Sequence, residues 1–195
     1  MVEVQHGRNT ENTCQPGAFE SFVTCFETAN PKSSLAPMAD GKKTLFFKRT
    51  HFATHLPLGY RYSPSHFWAK ESEGIWQIGL TKFATRMLGD MVDHGFEIKP
   101  GAHIEPGQIL GWVEGFKAIS DIYSFAEGEF LGTNPELQKR IALINKSPYN
   151  EGWIYKVKGQ LDDKCVDAEG YAAILNQTID KMLEQQQAEK DKQIE

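Results

Sequence analysis

The chain has 195 residues, 40% of them hydrophobic and 24% charged, and a net charge of −5. That is enough apolar material for one sizeable core, and it excludes wholesale disorder and argues against a general nucleic-acid binder. No run of 18 apolar residues is present, and three scattered cysteines, Cys14, Cys25 and Cys165, exclude a disulfide framework and fit a reducing compartment.

Residues 1–59 read as an N-terminal extension, partly ordered. Residues 1–17 are polar and punctuated by Gly and Pro. Phe19, Phe22 and Phe26 then fall at spacings of three and four, one face of a helix that Pro31 closes. Residues 29–43 read as loop and residues 44–48, TLFFK, as a short strand. An apolar helix face needs a surface to bury against, so residues 18–48 are expected to cover part of the next domain or to mediate self-association. Glu3, Glu11, Glu20 and Glu27 stand against Arg8 alone in the first 30 residues, a poor match to a secretory or organellar leader. A cytoplasmic location is therefore expected. His51 and His55 have the spacing of a metal pair on a helix, but Leu56-Pro57 and Gly59 oppose a long helix there and no cysteine or carboxylate completes a ligand set. No metal site is expected.

Residues 60–160 have the rhythm of a mainly β domain, with short strands and frequent turn signals. Residues 75–80 alternate. Thr81 caps a two-turn helix, KFATRML, that Gly89 stops. Strand signals resume near Met91 and Val92, and Pro100-Gly101 and Pro106-Gly107 are turns. Residues 108–114, 119–124, 129–132 and 153–158 read as strands, with a short helix over 135–144 opened by Pro135. Trp68, Trp76, Trp112 and Trp153 are expected in the core or at its edge. Residues 161–195 hold four basic and nine acidic side chains, so the acidity sits in the tail. A helix over roughly 168–188 is expected to dock on the sandwich through Ile174, Leu175, Thr178 and Ile179, and to fray beyond Gln187.

One stretch looks built for chemistry. Residues 107–128, GQILGWVEGFKAISDIYSFAEG, place two strand-like arms around a tight centre, Glu114-Gly115-Phe116-Lys117-Ala118. Gly115 is expected to supply a positive φ for the turn. Lys117 then stands at an exposed tip. A protonated surface lysine is chemically ordinary, and it becomes informative as an attachment point, because an amide at Nζ makes the side chain a long tether. On the pattern alone an unmodified lysine remains an open reading. No Gly-rich phosphate loop, GxSxG or HExxH is present and the histidines supply no triad, so no catalytic residue is assigned.

Glu114, Lys117, Ala118, Ser120, Asp121, Tyr123 and Ser124 together resemble the lipoyl-attachment hairpin of the glycine cleavage system H-protein family. The resemblance extends to Tyr62-Ser63-Pro64-Ser65-His66-Phe67-Trp68, to Ile78-Gly79-Leu80-Thr81-Lys82-Phe83-Ala84, to Leu88-Gly89-Asp90, and to Asn145, Pro148, Tyr149 and Glu151-Gly152-Trp153-Ile154, covering roughly residues 60–184. It implies a barrel-sandwich hybrid lipoyl domain over 60–160 with short helices, followed over 161–195 by a C-terminal helix and a frayed acidic tail. It implies lipoate in amide linkage to Lys117. Glu114, Ala118 and Asp121 would help a lipoate ligase or lipoyl transferase to recognise the turn, the plainer reading of the two acids being that they solubilise it. The chain would then be a carrier subunit and not an enzyme. Its arm would shuttle an aminomethyl group and reducing equivalents among glycine decarboxylase, the aminomethyltransferase and dihydrolipoyl dehydrogenase, with no nucleic-acid or membrane partner. Biotin sites of this fold flank the lysine with methionine, which Phe116 and Ala118 do not match. The chain departs from the family pattern at Phe67, at Asp93-His94-Gly95 and at Phe125. Those departures keep two alternatives open: a lipoate carrier for another pathway, such as sulfur oxidation beside a heterodisulfide-reductase-like complex or lipoyl relay, and a non-carrier protein-binding module. For His66 a structural hydrogen bond and a contact with the arm or a partner both stand.

Overall fold

The computed structural model describes residues 34–37 and 43–194; the Phe19, Phe22 and Phe26 face, Cys14 and Cys25 lie outside the described residues. Strands β1 (Ser34–Pro37), β2 (Lys43–Arg49) and β3 (Phe52–Pro57) form a three-stranded antiparallel sheet. β1 falls within the stretch read as loop, where it pairs with β2, Leu35 opposite Leu45. Long-range pairing supplies there what local sequence lacks. His51 lies in the turn of the β2–β3 hairpin and His55 on β3, its ring 5.0 Å from that of Phe46. Among the described residues no three His, Cys, Asp or Glu side chains are grouped to hold a metal.

The chain continues through β4 (Arg61–Tyr62), β5 (Phe67–Ser72), β6 (Ile75–Leu80), α1 (Lys82–Leu88), β7 (Met91–Phe96), β8 (His103–Ile104), β9 (Ile109–Gly115), β10 (Ile119–Tyr123) and β11 (Ala126–Thr133). A 3-10 turn (Pro135–Gln138), α2 (Leu143–Lys146), β12 (Trp153–Leu161) and α3 (Ala168–Ile194) complete it. A six-stranded sheet in the order β4-β5-β6-β12-β11-β8 faces a three-stranded sheet in the order β10-β9-β7. Ile78, Ile104, Leu110, Ile122, Phe130 and Val157 fill the space between them. This is the barrel-sandwich architecture that the family resemblance implies. Each short helix starts on a side-chain cap or a turn. Thr81 Oγ1 accepts from Ala84 N at 3.3 Å, and the Asn134 carboxamide accepts from Glu136 N while its Nδ2 donates to the Glu151 and Trp153 carbonyls at 2.8 Å. The helical stretch expected over 135–144 is thus split into a 3-10 turn and α2.

A second core lies on the other side of β4 and β5. Phe47, Phe52 and Leu56 come from the β2–β3 hairpin, Tyr62 and Trp68 from the large sheet, and Tyr171, Leu175, Ile179 and Met182 from α3. β5 is therefore buried on both faces, with Phe67 and Ala69 toward the sandwich and Trp68 toward α3. The Trp68 indole donates to the Leu80 carbonyl at 3.0 Å, and a Cβ at residue 79 would lie 2.6 Å from that ring, so only glycine fits there. Helix α3 buries Leu175 and Ile179, as the periodicity predicts, but against the hairpin as well as the sandwich; Ile174 and Thr178 are half-buried. Arg49 of β2 donates to Asn176 Oδ1 at 2.8 Å and pairs with Asp180. The helix runs on to Ile194 past the fraying expected beyond Gln187, with Gln187 Nε2 donating to Asp191 at 2.8 Å. No helix of the described residues is long and apolar enough to cross a membrane.

Three side chains tie this second core together. The Tyr171 hydroxyl sits 2.9 Å from His66 Nδ1 and 2.9 Å from Thr81 Oγ1, and the His66 ring packs 4.6 Å from that of Phe83. His66 thus takes the structural role, and burial lowers its pKa from 6.5 to about 4. The folded state holds a neutral imidazole where the unfolded chain would be protonated. Stability from this group is therefore complete above pH 6.5 and falls as pH drops from 6.5 toward 4, by up to about 3 kcal/mol. Urea midpoints should show that acid slope, and His66→Asn should flatten it. Leu175→Ala should lower the free energy of unfolding by about 2–5 kcal/mol in the same titration; a change below about 0.5 kcal/mol would contradict the buried contact.

Candidate functional site

β9 and β10 pair with Glu114 opposite Ile119, and the Gly115 N–H donates to the Ala118 carbonyl at 2.9 Å. Phe116 and Lys117 form the tip of this hairpin. The tip is clamped to the segment that joins α1 to β7: Phe116 N–H donates to the Asp90 carbonyl at 2.8 Å and Lys117 N–H to the Leu88 carbonyl at 2.9 Å. Gly115 has no positive φ, contrary to the expectation from sequence. Its reason is proximity. A Cβ at residue 115 would lie 2.2 Å from the Leu88 carbonyl oxygen, a clash with backbone that no side chain can avoid. Gly89 does need a left-handed conformation, at φ 85, and a Cβ there would meet Lys117 Cγ at 3.0 Å, so the lysine stem starts along this glycine.

Asn145 on α2 holds the clamp itself. Its Nδ2 donates to the Gly89 carbonyl at 3.0 Å and its Oδ1 accepts from Met91 N at 2.9 Å. The sequence marks Asn145 only as part of a resembling stretch and assigns it no task; nothing in the local pattern around it points to a strand so distant in the chain.

The four residues singled out from sequence share this hairpin. Lys117 is exposed at the tip, Ala118 is half-buried and packs on the edge of the core, and Glu114 is half-buried on β9. Asp121 is exposed on β10, opposite Trp112, and accepts from the Tyr123 hydroxyl at 3.2 Å. Phe116 beside the lysine is 84% exposed. A long exposed side chain on a fixed backbone, with small Ala118 next to it, fits an amide-linked group at Nζ. The structure describes no cluster of nucleophile and base at this end of the molecule. Elsewhere the buried Cys165 thiol is pushed up to about 11, first by burial and further by Asp162, which leaves it protonated and inert.

The departures from the family pattern divide into two kinds. Phe67 and Phe125 are both buried and meet in the core, ring centroids 5.9 Å apart. Asp93-His94-Gly95 lie on β7, where the pairing with β9 slips between Met91 and Asp93 and leaves Val92 as an extra, exposed residue. Gly95 lies under the Trp112 indole, which a Cβ would meet at 2.6 Å. Burial lowers the pKa of His94, with Asp93 opposing. Trp76 and Trp153 sit half-buried at the edge, Trp76 donating to the Gly159 carbonyl at 3.2 Å and Trp153 under the Lys156 ammonium at 4.7 Å.

Residues 60–184 match the model of a family described as Glycine cleavage H-protein. The glycine cleavage system H protein of Bordetella pertussis is 40% identical over 122 residues, spanning 61% of this chain and 97% of that protein. Its counterpart in Bacteroides fragilis is 35% identical over 125 residues, spanning 63% and 98%. A crystal structure of a glycine cleavage system H protein from Mycobacterium marinum matches with a TM-score of 0.56 at 27% identity, over 60% of this chain and 97% of that one.

If Asn145 anchors the tip, Asn145→Ala should speed amide hydrogen exchange at Met91, Phe116 and Lys117 while β6 and β12 keep their protection. The loss of two hydrogen bonds should cost about 1–3 kcal/mol. Equal exchange at the tip in variant and parent would show that the clamp does not depend on this side chain.

Proposed function

The chain belongs to the glycine cleavage H-protein family, and on that premise we propose that Lys117 carries lipoate in amide linkage and serves the glycine cleavage enzymes. Members of this family are carrier subunits and do no bond chemistry of their own. The observation that carries the assignment is the exposed Lys117 side chain on a tip whose backbone is fixed by the 115–118, 116–90 and 117–88 hydrogen bonds. A bound lipoyl group would supply a disulfide able to accept an aminomethyl group and then to take away reducing equivalents. The chain's own residues root the arm. Gly115 and Gly89 allow the tip to lie against the Leu88–Asp90 segment, and Asn145 fixes that segment, so the arm would swing from one defined point. A tether with a fixed root keeps a reactive end at high effective concentration for several enzymes in turn. The partners proposed for it are glycine decarboxylase, the aminomethyltransferase and dihydrolipoyl dehydrogenase. Glu114, Ala118 and Asp121 would give a lipoate ligase or lipoyl transferase the charge and shape by which to choose Lys117 over other exposed lysines.

One observation favours a second reading. The β7 bulge puts Val92 on the surface next to the tip, where a different processing enzyme, such as a heterodisulfide-reductase-like complex, would meet it. The test separates the readings. Incubation with a lipoate ligase should add one lipoyl mass to the intact chain and none to Lys117→Arg, which keeps the charge but cannot form the same amide. Addition at another lysine would overturn the site. The lipoylated chain should then support bicarbonate exchange with the glycine decarboxylase of the same genome; modification without exchange would move the assignment to another lipoate-dependent pathway.

A further inference from the structure

The large hydrophobic side chains left exposed among the described residues gather in one place. Val92 (54%), Ile109 (53%), Phe116 (84%), Ile119 (64%) and Tyr123 (41%) all belong to the β10-β9-β7 sheet or to its tip. Singly exposed apolar residues are ordinary, whereas a contiguous patch marks an interaction site. The pairing sets Ile109, Ile119 and Tyr123 on one face together with the half-buried Trp112, interleaved with carboxylates. Across the outer face one row runs Asp93, Glu114, Ile119, the next Gly95, Trp112, Asp121, and the last pairs Ile109 with Tyr123. The inner face of the same strands holds the buried Leu110, Val113 and Ile122.

The charge on this face has one sign. The three strands carry Asp93, Glu114 and Asp121, with His94, and no Lys or Arg. Burial holds His94 toward its neutral form. Lys117 is the cation of the adjoining tip, and an amide at Nζ would remove that charge. The loaded carrier would then offer apolar side chains set among carboxylates, next to the root of its arm.

We infer that the outer face of the β10-β9-β7 sheet is the docking surface for the protein partners that process the arm, and that these partners present lysine or arginine side chains around a shallow apolar patch. The inference rests on the carrier reading above. Its first argument is charge complementarity: carboxylates without a basic residue attract a basic protein surface and repel nucleic acid and anionic lipid alike. Its second is continuity with the tip, because a partner seated on these rows has Lys117 at its margin. A carrier must also let go. Transient encounters commonly bury less than about 1,200 Å² in total, a scale suited to one face of a three-stranded sheet.

The test uses the full chain in its lipoylated form, with bicarbonate exchange by the cognate glycine decarboxylase as readout and the carrier as varied substrate. Asp93→Lys, and separately Ile109→Ser combined with Tyr123→Ser, should each raise KM for the carrier by about tenfold, and the parent KM should rise with ionic strength. These positions lie away from the attachment residue, so single lipoylation by intact mass and an unchanged thermal midpoint verify that each variant is loaded and folded. Glu184→Lys, a charge reversal on the exposed side of α3, should leave KM alone. A KM unmoved by both surface variants and by salt would overturn the docking surface while leaving the carrier reading intact. A parent chain that accepts no lipoate, or is loaded yet supports no exchange, would overturn the glycine cleavage reading and this inference with it.

Discussion

The Asn145 carboxamide bridges Gly89 O and Met91 N, and the geometry around Lys117 depends on that bridge. The side chain replaces, for one residue, the backbone partner that a strand would have provided. It fixes a segment that then offers two carbonyls, Leu88 and Asp90, to the tip. Because Gly115 has no Cβ, the hairpin can come close enough to use them. Each contact is an ordinary hydrogen bond, worth about 1 kcal/mol net. Their joint effect is positional, since one flexible side chain is left to project from a backbone that has little freedom of its own.

The other end of α1 is held as firmly. Thr81 caps the helix and shares the Tyr171 hydroxyl with His66, so the cap is tied to α3. α3 is in turn held by the β2–β3 hairpin through Phe47, Phe52 and the Arg49 contacts. This hairpin lies before the residues that match the family, yet it closes the second core. Through α1, packing on that side of the large sheet bears on the position of the tip. Tyr149 belongs to the same assembly: its hydroxyl, raised to about 12 by burial, accepts from Lys82 N at 3.2 Å at the start of the helix.

What the sequence makes legible follows from how local the cause is. Thr81 as cap, Gly89 as stop and the β9–β10 arms were readable because each rests on chemistry within a few residues. β5 was not, because burial on both faces erases the alternation that announces a half-buried strand: Phe67, Trp68 and Ala69 are apolar in succession. β4 and β8, two residues each, carry too little pattern, and β1 exists through its partner. Gly115 was the right residue with the wrong reason, since a clash with Leu88 needs the fold to be seen. The candidate site was legible as a lysine at a turn, and its resemblance to a known hairpin named it. The clamp from Asn145 and the contact between Phe67 and Phe125 were not legible, because a single chain shows no sign that such distant residues meet.

The Lys117 N–H is also the group that satisfies the last carbonyl of α1, at Leu88. A helix end normally finds such a partner in its own next residues; here it borrows one from another hairpin. Loops of this kind usually tolerate gains and losses of residues over evolutionary time. This one is under a length restriction from outside itself, because adding or removing one residue between Gly115 and Ala118 would move the amide away and take this partner from the Leu88 carbonyl. The spacing of the hairpin is thus inherited from the helix it caps, while the Phe116 side chain, which points outward, takes no part in that restriction.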